Sequence, residues 1–246
     1  MSLFGRTLAD GDRLEVAGVT VRLKVNQRAR RVSLRLDRGR REIVATAPSP
    51  RHLAEAAAFA RNKAAWITAQ LAGQPQVCAL APGQLIEVFG RPVRLEAGSG
   101  RARWIAPCDG STPVIRAMGE GEGFARAVTL VLKRQALEVL TARTAEYAER
   151  LGAPLPKISV ADARTRWGSC RRPVRGGPAA IRYSWRLALA PFEVADYVAA
   201  HECAHLREMN HGPRFWSLVR ELVGDERRHR AWLRTEGARL HAFGVQ

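Results

Sequence analysis

Apolar and polar residues alternate along three stretches near the start of the chain, 19–25 (VTVRLKV), 32–36 (VSLRL) and 42–46 (EIVAT). A period of two puts every second side chain on one face, so each stretch predicts a half-buried strand and the three together a small antiparallel sheet. Pro-Ser-Pro at 48–50 ends the strands. Ser49 or Pro50 then opens an alanine-rich helix carrying Phe59, Trp66, Ile67 and Leu71, which Gly73 and Pro75 stop. Residues 85–89 (LIEVF) and 92–96 (PVRLE) predict a hairpin about Gly90-Arg91, with further short strands at 103–105 and 114–116. Past the loop MGEGEG at 118–123, a long helix runs to about Leu151, with Leu130, Leu137, Leu140, Tyr147 and Leu151 inside one arc of roughly 100°.

Two extended pieces follow at 157–163 and 179–189, joined by a segment containing ARTRWGSC and a Gly-Gly turn. A helix from near Pro191 to about Met209 comes next, then two more at 213–223 and 226–243. No internal repeat or low-complexity tract is evident. Strands gathered early and helices late predict an α+β protein, with an N-terminal antiparallel β-rich subdomain over residues 1–118 and a second subdomain over 119–246.

The helix from Pro191 carries the candidate chemistry, HECAH at 201–205. At 100° per residue His201 and His205 stand about 40° apart and Glu202 about 60° from His205, so two imidazoles and a carboxylate share one face. Neutral imidazoles bind zinc, and a neighbouring glutamate that does not ligate can take a proton from water activated by the ion. Cys203 points the other way and reads as small core filler. A catalytic zinc takes three protein ligands, and His211, six residues after His205, is the natural third if Asn210, in a left-handed conformation, and Gly212-Pro213 turn the chain back. Glu208 shares the ligand face but sits about 10 Å of helix rise from His201. Glu221 in the next helix is the other candidate.

Lys plus Arg number 40 against 23 Asp plus Glu, a net charge of +17. Such a surplus attracts polyanions and admits non-specific binding of nucleic acid, but the arginines are spread over every segment with no aromatic-interleaved RNA-binding motif, as on a solvated face. No window approaches the ~20 apolar residues needed to span a bilayer, so no membrane role is expected. The start lacks a secretory signal, and the four cysteines, Cys78, Cys108, Cys170 and Cys203, form no C-x-x-C pair. Both point to the cytoplasm.

TRWGSC (165–170), IRYSWRLALAP (181–191) and DYVAAHECAHLREMNHGPRFW (196–216), with RARRVSLRLD and NKAAWITAQLA upstream, resemble the YgjP-like family of metal-dependent hydrolases, related to the WLM and SprT-like zinc metallopeptidases. The resemblance covers nearly the whole chain. It implies a zincin-like metallopeptidase subdomain, one zinc per chain on His201, His205 and His211, and Glu202 as general base; the peptide or protein substrate is expected because H-E-x-x-H is mainly a peptide-hydrolysis arrangement. Cys203 stands where the family more often has an aliphatic residue.

In zincins an extended edge strand beside the active-site helix pairs with the substrate backbone, and 179–186 is the expected strand here. Arg166, Trp167, Gly168, Tyr183 and Arg186 are the expected substrate-binding residues: Trp167 and Gly168 lining the cleft, and Arg166, Tyr183 or Arg186 steadying the oxyanion. The competing reading of Trp167, Trp185, Phe215 and Trp216 is a set of core aromatics, that of Cys170 a structural cysteine, and that of His229 and His241 surface or capping residues. Two other functions fit the same residues. One is hydrolysis of a nucleotide or other phosphoester, suggested by the arginine surplus around a metal; the other is a nucleic-acid-associated protein with a structural zinc.

Overall fold

The computed structural model describes residues 7–37, 42–72, 78–107, 110–163, 165–173 and 176–243. Contacts divide the chain into two compact units, Met1–Pro75 and Gln76–Gln246. The division therefore comes before the 85–97 hairpin and not at the MGEGEG loop. Ile86, Val88, Val93, Leu95 and Ile115 belong to one buried core with Phe124, Val128 and Leu132. A glycine-rich loop marks a change from strand to helix, whereas a unit ends where side chains stop packing together.

In the first unit, β1 (Arg13–Val16), β2 (Val19–Val25), β3 (Ser33–Asp37) and β4 (Glu42–Ala47) form one sheet in the order β1-β2-β4-β3. The expected strands are present, but β2 and β4 run parallel, so the sheet is mixed and not antiparallel. Alternation fixes the face a side chain occupies and carries no information on the direction of the neighbouring strand. The expected helix is interrupted: a 3-10 turn at Pro50–His52 leads into α1 (Leu53–Asn62), and α2 (Ala64–Ala72) restarts after Lys63. Leu53, Ala56, Ala57, Ala60 and Ile67 join the sheet's core, while Phe59 and Trp66 are exposed. Alanine makes the contact because it lets backbone approach backbone. Gly73, Pro75 and the Leu71 side chain fall outside the described residues, as does Cys108.

The second unit opens with β5 (Leu85–Val88), β6 (Arg91–Ala97), β7 (Arg103–Ile105) and β8 (Val114–Ala117) in the order β5-β6-β8-β7. β6 and β8 run parallel and the outer pairs antiparallel, which is the topology of β1–β4 over again. Contrary to the expectation of no repeat, the likeness reaches single hydrogen bonds. Gly11 N–H donates to Leu23 O at 3.0 Å and Gly83 N–H to Leu95 O at 2.7 Å; Ala9 N–H donates to the Asp12 carboxylate at 2.9 Å and Ala81 N–H to Gln84 Oε1 at 3.0 Å. Both hairpins turn on two consecutive positive-φ residues, Ala17-Gly18 and Phe89-Gly90, so the second turn lies one residue before the expected Gly90-Arg91.

From here the second unit goes its own way. α3 (Gly121–Arg150) is three times the length of α1. It buries Phe124, Val128, Val131, Leu132, Ala136, Leu140, Thr144 and Tyr147; of the expected stripe, Leu130 and Leu137 are exposed. β9 (Lys157–Ala161), β10 (Gly168–Arg171) and β11 (Ala180–Ser184) make a three-stranded sheet in the order β10-β11-β9. β11 pairs antiparallel with β10 and parallel with β9, so the expected substrate strand has neither edge free, and residues 185–189 are a 3-10 turn. The edges belong to β9 and to β10, the latter built from the short Gly-Ser-Cys-Arg run that alternation cannot flag. α4 (Phe192–Ala204), α5 (Pro213–Val223), α6 (Arg227–Thr235) and α7 (Gly237–Leu240) complete the chain, the last two replacing the single expected terminal helix. No described helix is long and apolar enough to cross a membrane.

Candidate metal centre

His201 and Glu202 lie in the last turn of α4, and His205 is its C-cap with near-helical angles, φ −67° and ψ −14°. The i, i+4 relation therefore holds although the helix stops about five residues sooner than expected. Asn210 is not among the positive-φ residues. The chain turns directly after His205 instead, with Leu206 N–H donating to Cys203 O at 2.8 Å and Glu208 N–H to Ala204 O at 2.9 Å. Asn210 N–H then donates to Glu208 Oε1 at 3.1 Å and Gly212 N–H to Asn210 O at 2.7 Å, and Pro213 starts α5.

This loop returns His211 to α4. Its ring centroid is 5.1 Å from that of His201 and 4.7 Å from that of His205. One nitrogen from each ring falls within 4.8 Å of the others, a group able to hold a metal ion. The Nε2 atoms of His201 and His211 are 3.2 Å apart. Two nitrogens each about 2.0 to 2.1 Å from a tetrahedral zinc are separated by about 3.3 Å, so the donor set fits that ion. Nδ1 of His205 is 3.0 Å from the Glu208 carbonyl oxygen, which can only accept. Nδ1 therefore carries the proton and Nε2 keeps its lone pair. Burial, reinforced by the neighbouring imidazoles, pushes His201 down to about 3 and lowers His205 as well, so both rings are neutral.

Phe215 is fully buried and its ring lies 4.8, 4.6 and 4.6 Å from those of His201, His205 and His211. The Trp216 indole N–H donates to His211 O at 3.1 Å, and the Arg230 guanidinium lies 4.4 Å over the indole. The core reading of Phe215 holds, but the residue is also the floor of the histidine cluster. The signal was the F-W pair in the first turn of a helix opening just after His211. His229 is stacked on Tyr197, whose hydroxyl is 3.5 Å from Nδ1 of His201; His241 caps α7 and stacks on Trp167 at 4.8 Å. Both histidines thus take part in packing.

Glu202 is 6 % exposed, against β10. A Cβ placed on Gly168 would sit 2.5 to 2.7 Å from the Glu202 carboxyl and Cγ atoms, closer than atoms pack, so that residue is what lets the strand close over the glutamate. Burial raises the Glu202 carboxyl to about 7, against the opposing pull of the Arg166 charge and of the Cys170 backbone N–H, which donates to it. Glu221 is exposed, its carbonyl accepting from Arg150, and is not in the histidine group.

The other expected substrate residues divide. Arg166 is exposed and acts electrostatically on Glu202. Trp167 faces His241 and Gly237. Tyr183 is fully buried with its hydroxyl 2.8 Å from that of Thr144, and Arg186 is buried in an ion pair with Asp162 while donating to Phe243 O at 3.2 Å. Both side chains are thus buried away from solvent, and a period-two pattern could not reveal their partners. Cys203 is buried beside Thr144, with its thiol pushed up to about 12 by burial. Cys170 is half-buried with its thiol pushed up to about 11, first by burial and then by Glu202, which suits a structural cysteine.

A family model described as the YgjP-like metallopeptidase domain matches residues 30–236. No curated protein and no solved structure matches the chain.

Proposed function

The chain belongs to the YgjP-like metallopeptidase family, and from that premise we propose that it is a zinc-dependent hydrolase cutting peptide bonds, with His201, His205 and His211 as ligands and Glu202 as general base. The observation that carries this reading is the convergence of three imidazoles beside a buried carboxylate that is not in their group. Zinc bound there supplies a Lewis acid that polarises a carbonyl and lowers the pKa of water. The chain's own residues do the rest. The Glu208 carbonyl fixes the His205 tautomer, and Phe215 holds the three rings together. Glu202, its carboxyl raised to about 7 by burial, accepts in its carboxylate form a proton from the attacking water and returns it to the departing amine. Of the three expected oxyanion donors Arg166 alone is exposed beside Glu202, and the free edge of β10 replaces 179–186 as the strand that an extended peptide can join.

A second reading, hydrolysis of a phosphoester, is favoured by Arg171 and Arg172 in the cavity that His205 borders. The test is zinc-loaded protein incubated with denatured proteins and with nucleoside triphosphates, using Glu202→Gln as the blank. Peptide cleavage falling by a factor on the order of 10² or more in Glu202→Gln, with metal retained, is the expected result. Undiminished turnover sinks the role of Glu202, and consumption of triphosphate alone replaces the peptidase reading by the second one.

A further inference from the structure

A cavity of about 580 Å³ lies beside His205, between the end of β10 and the turn that follows α4. Cys170 and His205 border it on the side of the histidine cluster. Its apolar wall comes from Pro154, Leu206, Met209 and Pro178, and among the described residues it has no acidic lining residue. Three arginines line it among the described residues. Arg207 is committed elsewhere, donating to Leu151 O at 2.8 Å through Nε and to Gly152 O at 2.6 Å. Arg171 and Arg172 are exposed, and no ion pair or hydrogen bond occupies either side chain among the described residues. Two free guanidiniums over an apolar wall match a group with an aliphatic or planar body and a negatively charged end, since guanidinium forks pair with carboxylate and phosphate oxygens alike.

We propose that this cavity is the subsite for the part of the substrate flanking the cleaved bond, and that Arg171 and Arg172 select an oxyanion-bearing group there. The inference rests on the histidine cluster being the metal centre, and not on which bond is cut. A carboxylate on an acidic peptide and a phosphate on a nucleotide are the two sources of that chemistry. Among the described residues that line the cavity, Arg171 and Arg172 are the arginines not already committed to the protein's own carbonyls.

The test is fluorescence anisotropy on full-length, zinc-loaded Glu202→Gln protein, titrated with labelled peptides differing only in a central Glu, Leu or Lys, and with a labelled nucleoside triphosphate. Arg171→Ala/Arg172→Ala is expected to weaken the anionic probe at least tenfold and leave the Leu peptide within twofold. Arg101→Ala/Arg103→Ala removes the same charge from exposed positions near β7 and is expected to change the anionic probe less than threefold. The probe that loses most affinity identifies carboxylate or phosphate as the preferred end. Equal losses in the two double variants, or anion binding untouched by Arg171→Ala/Arg172→Ala, overturn the proposal. Hydrolysis by the unsubstituted protein is read separately: triphosphate turnover without peptide cleavage refutes the peptidase reading while leaving the subsite standing.

Discussion

The sheets β1–β4 and β5–β8 share strand order, pairing directions and turn conformation, yet the candidate chemistry follows only the second. What differs is the helix behind each sheet. α1 ends after ten residues at Asn62, whereas α3 runs for 30. The extra length carries Leu140, Thr144 and Tyr147 into the core shared with β11 and α4: Thr144 meets the Tyr183 hydroxyl, and the Tyr147 hydroxyl donates to Asp196 at 2.8 Å. In the first unit the small mixed sheet is a support for the short α1 and α2. The longer helix turns the same support into a spine on which a second sheet and the H-E-x-x-H helix are aligned.

If that contrast is right, the largest single effect should come from a residue outside both repeats. Gly168→Ala is expected to lower hydrolysis by about 10² or more, the scale of displacing a general base, while metal content stays unchanged. Normal turnover by this variant would mean that β10 does not hold Glu202 in place. Matched core positions provide the next test. Leu23 and Leu95 are both fully buried, in cores that share no residue. Each change to alanine should cost roughly 2 to 5 kcal/mol of the stability of its own core. Thermal unfolding with zinc analysis should show Leu95→Ala losing metal at lower temperature and Leu23→Ala keeping it; the reverse outcome breaks the assignment of the site to the second core. The smallest effects are expected at the turns. Gly18 and Gly90 both have φ of 75°, so alanine at either should cost about 1 kcal/mol, measured by denaturant titration.

The repeat is written in the chain at an offset of 72 residues: Gly11, Glu15, Val16, Gly18, Val21, Arg22 and Leu23 match Gly83, Glu87, Val88, Gly90, Val93, Arg94 and Leu95. It is legible only in the first hairpin of each copy, because the later strands share a pattern of burial and not residue identities. The metal-binding candidates were legible because H-E-x-x-H is a local pattern on one helix face. The loop that returns His211 was legible in outline through Gly212-Pro213, although the turn comes at His205 and not at Asn210. Strand order was not legible. β10 is four residues of mixed polarity, and its place between Glu202 and solvent depends on pairing with a strand twelve residues further along. The burial of Tyr183 and Arg186 is not legible for the same reason: whether a polar tip faces the cleft or the core depends on register and on distant partners such as Thr144 and Asp162.

Elemental analysis of purified full-length protein measures directly whether the three histidines share one ion. About one zinc per chain is expected in the unsubstituted protein and in Glu221→Ala, with less than a tenth of it left in His211→Ala. Full retention of zinc in His211→Ala, or its loss in Glu221→Ala, would contradict the account.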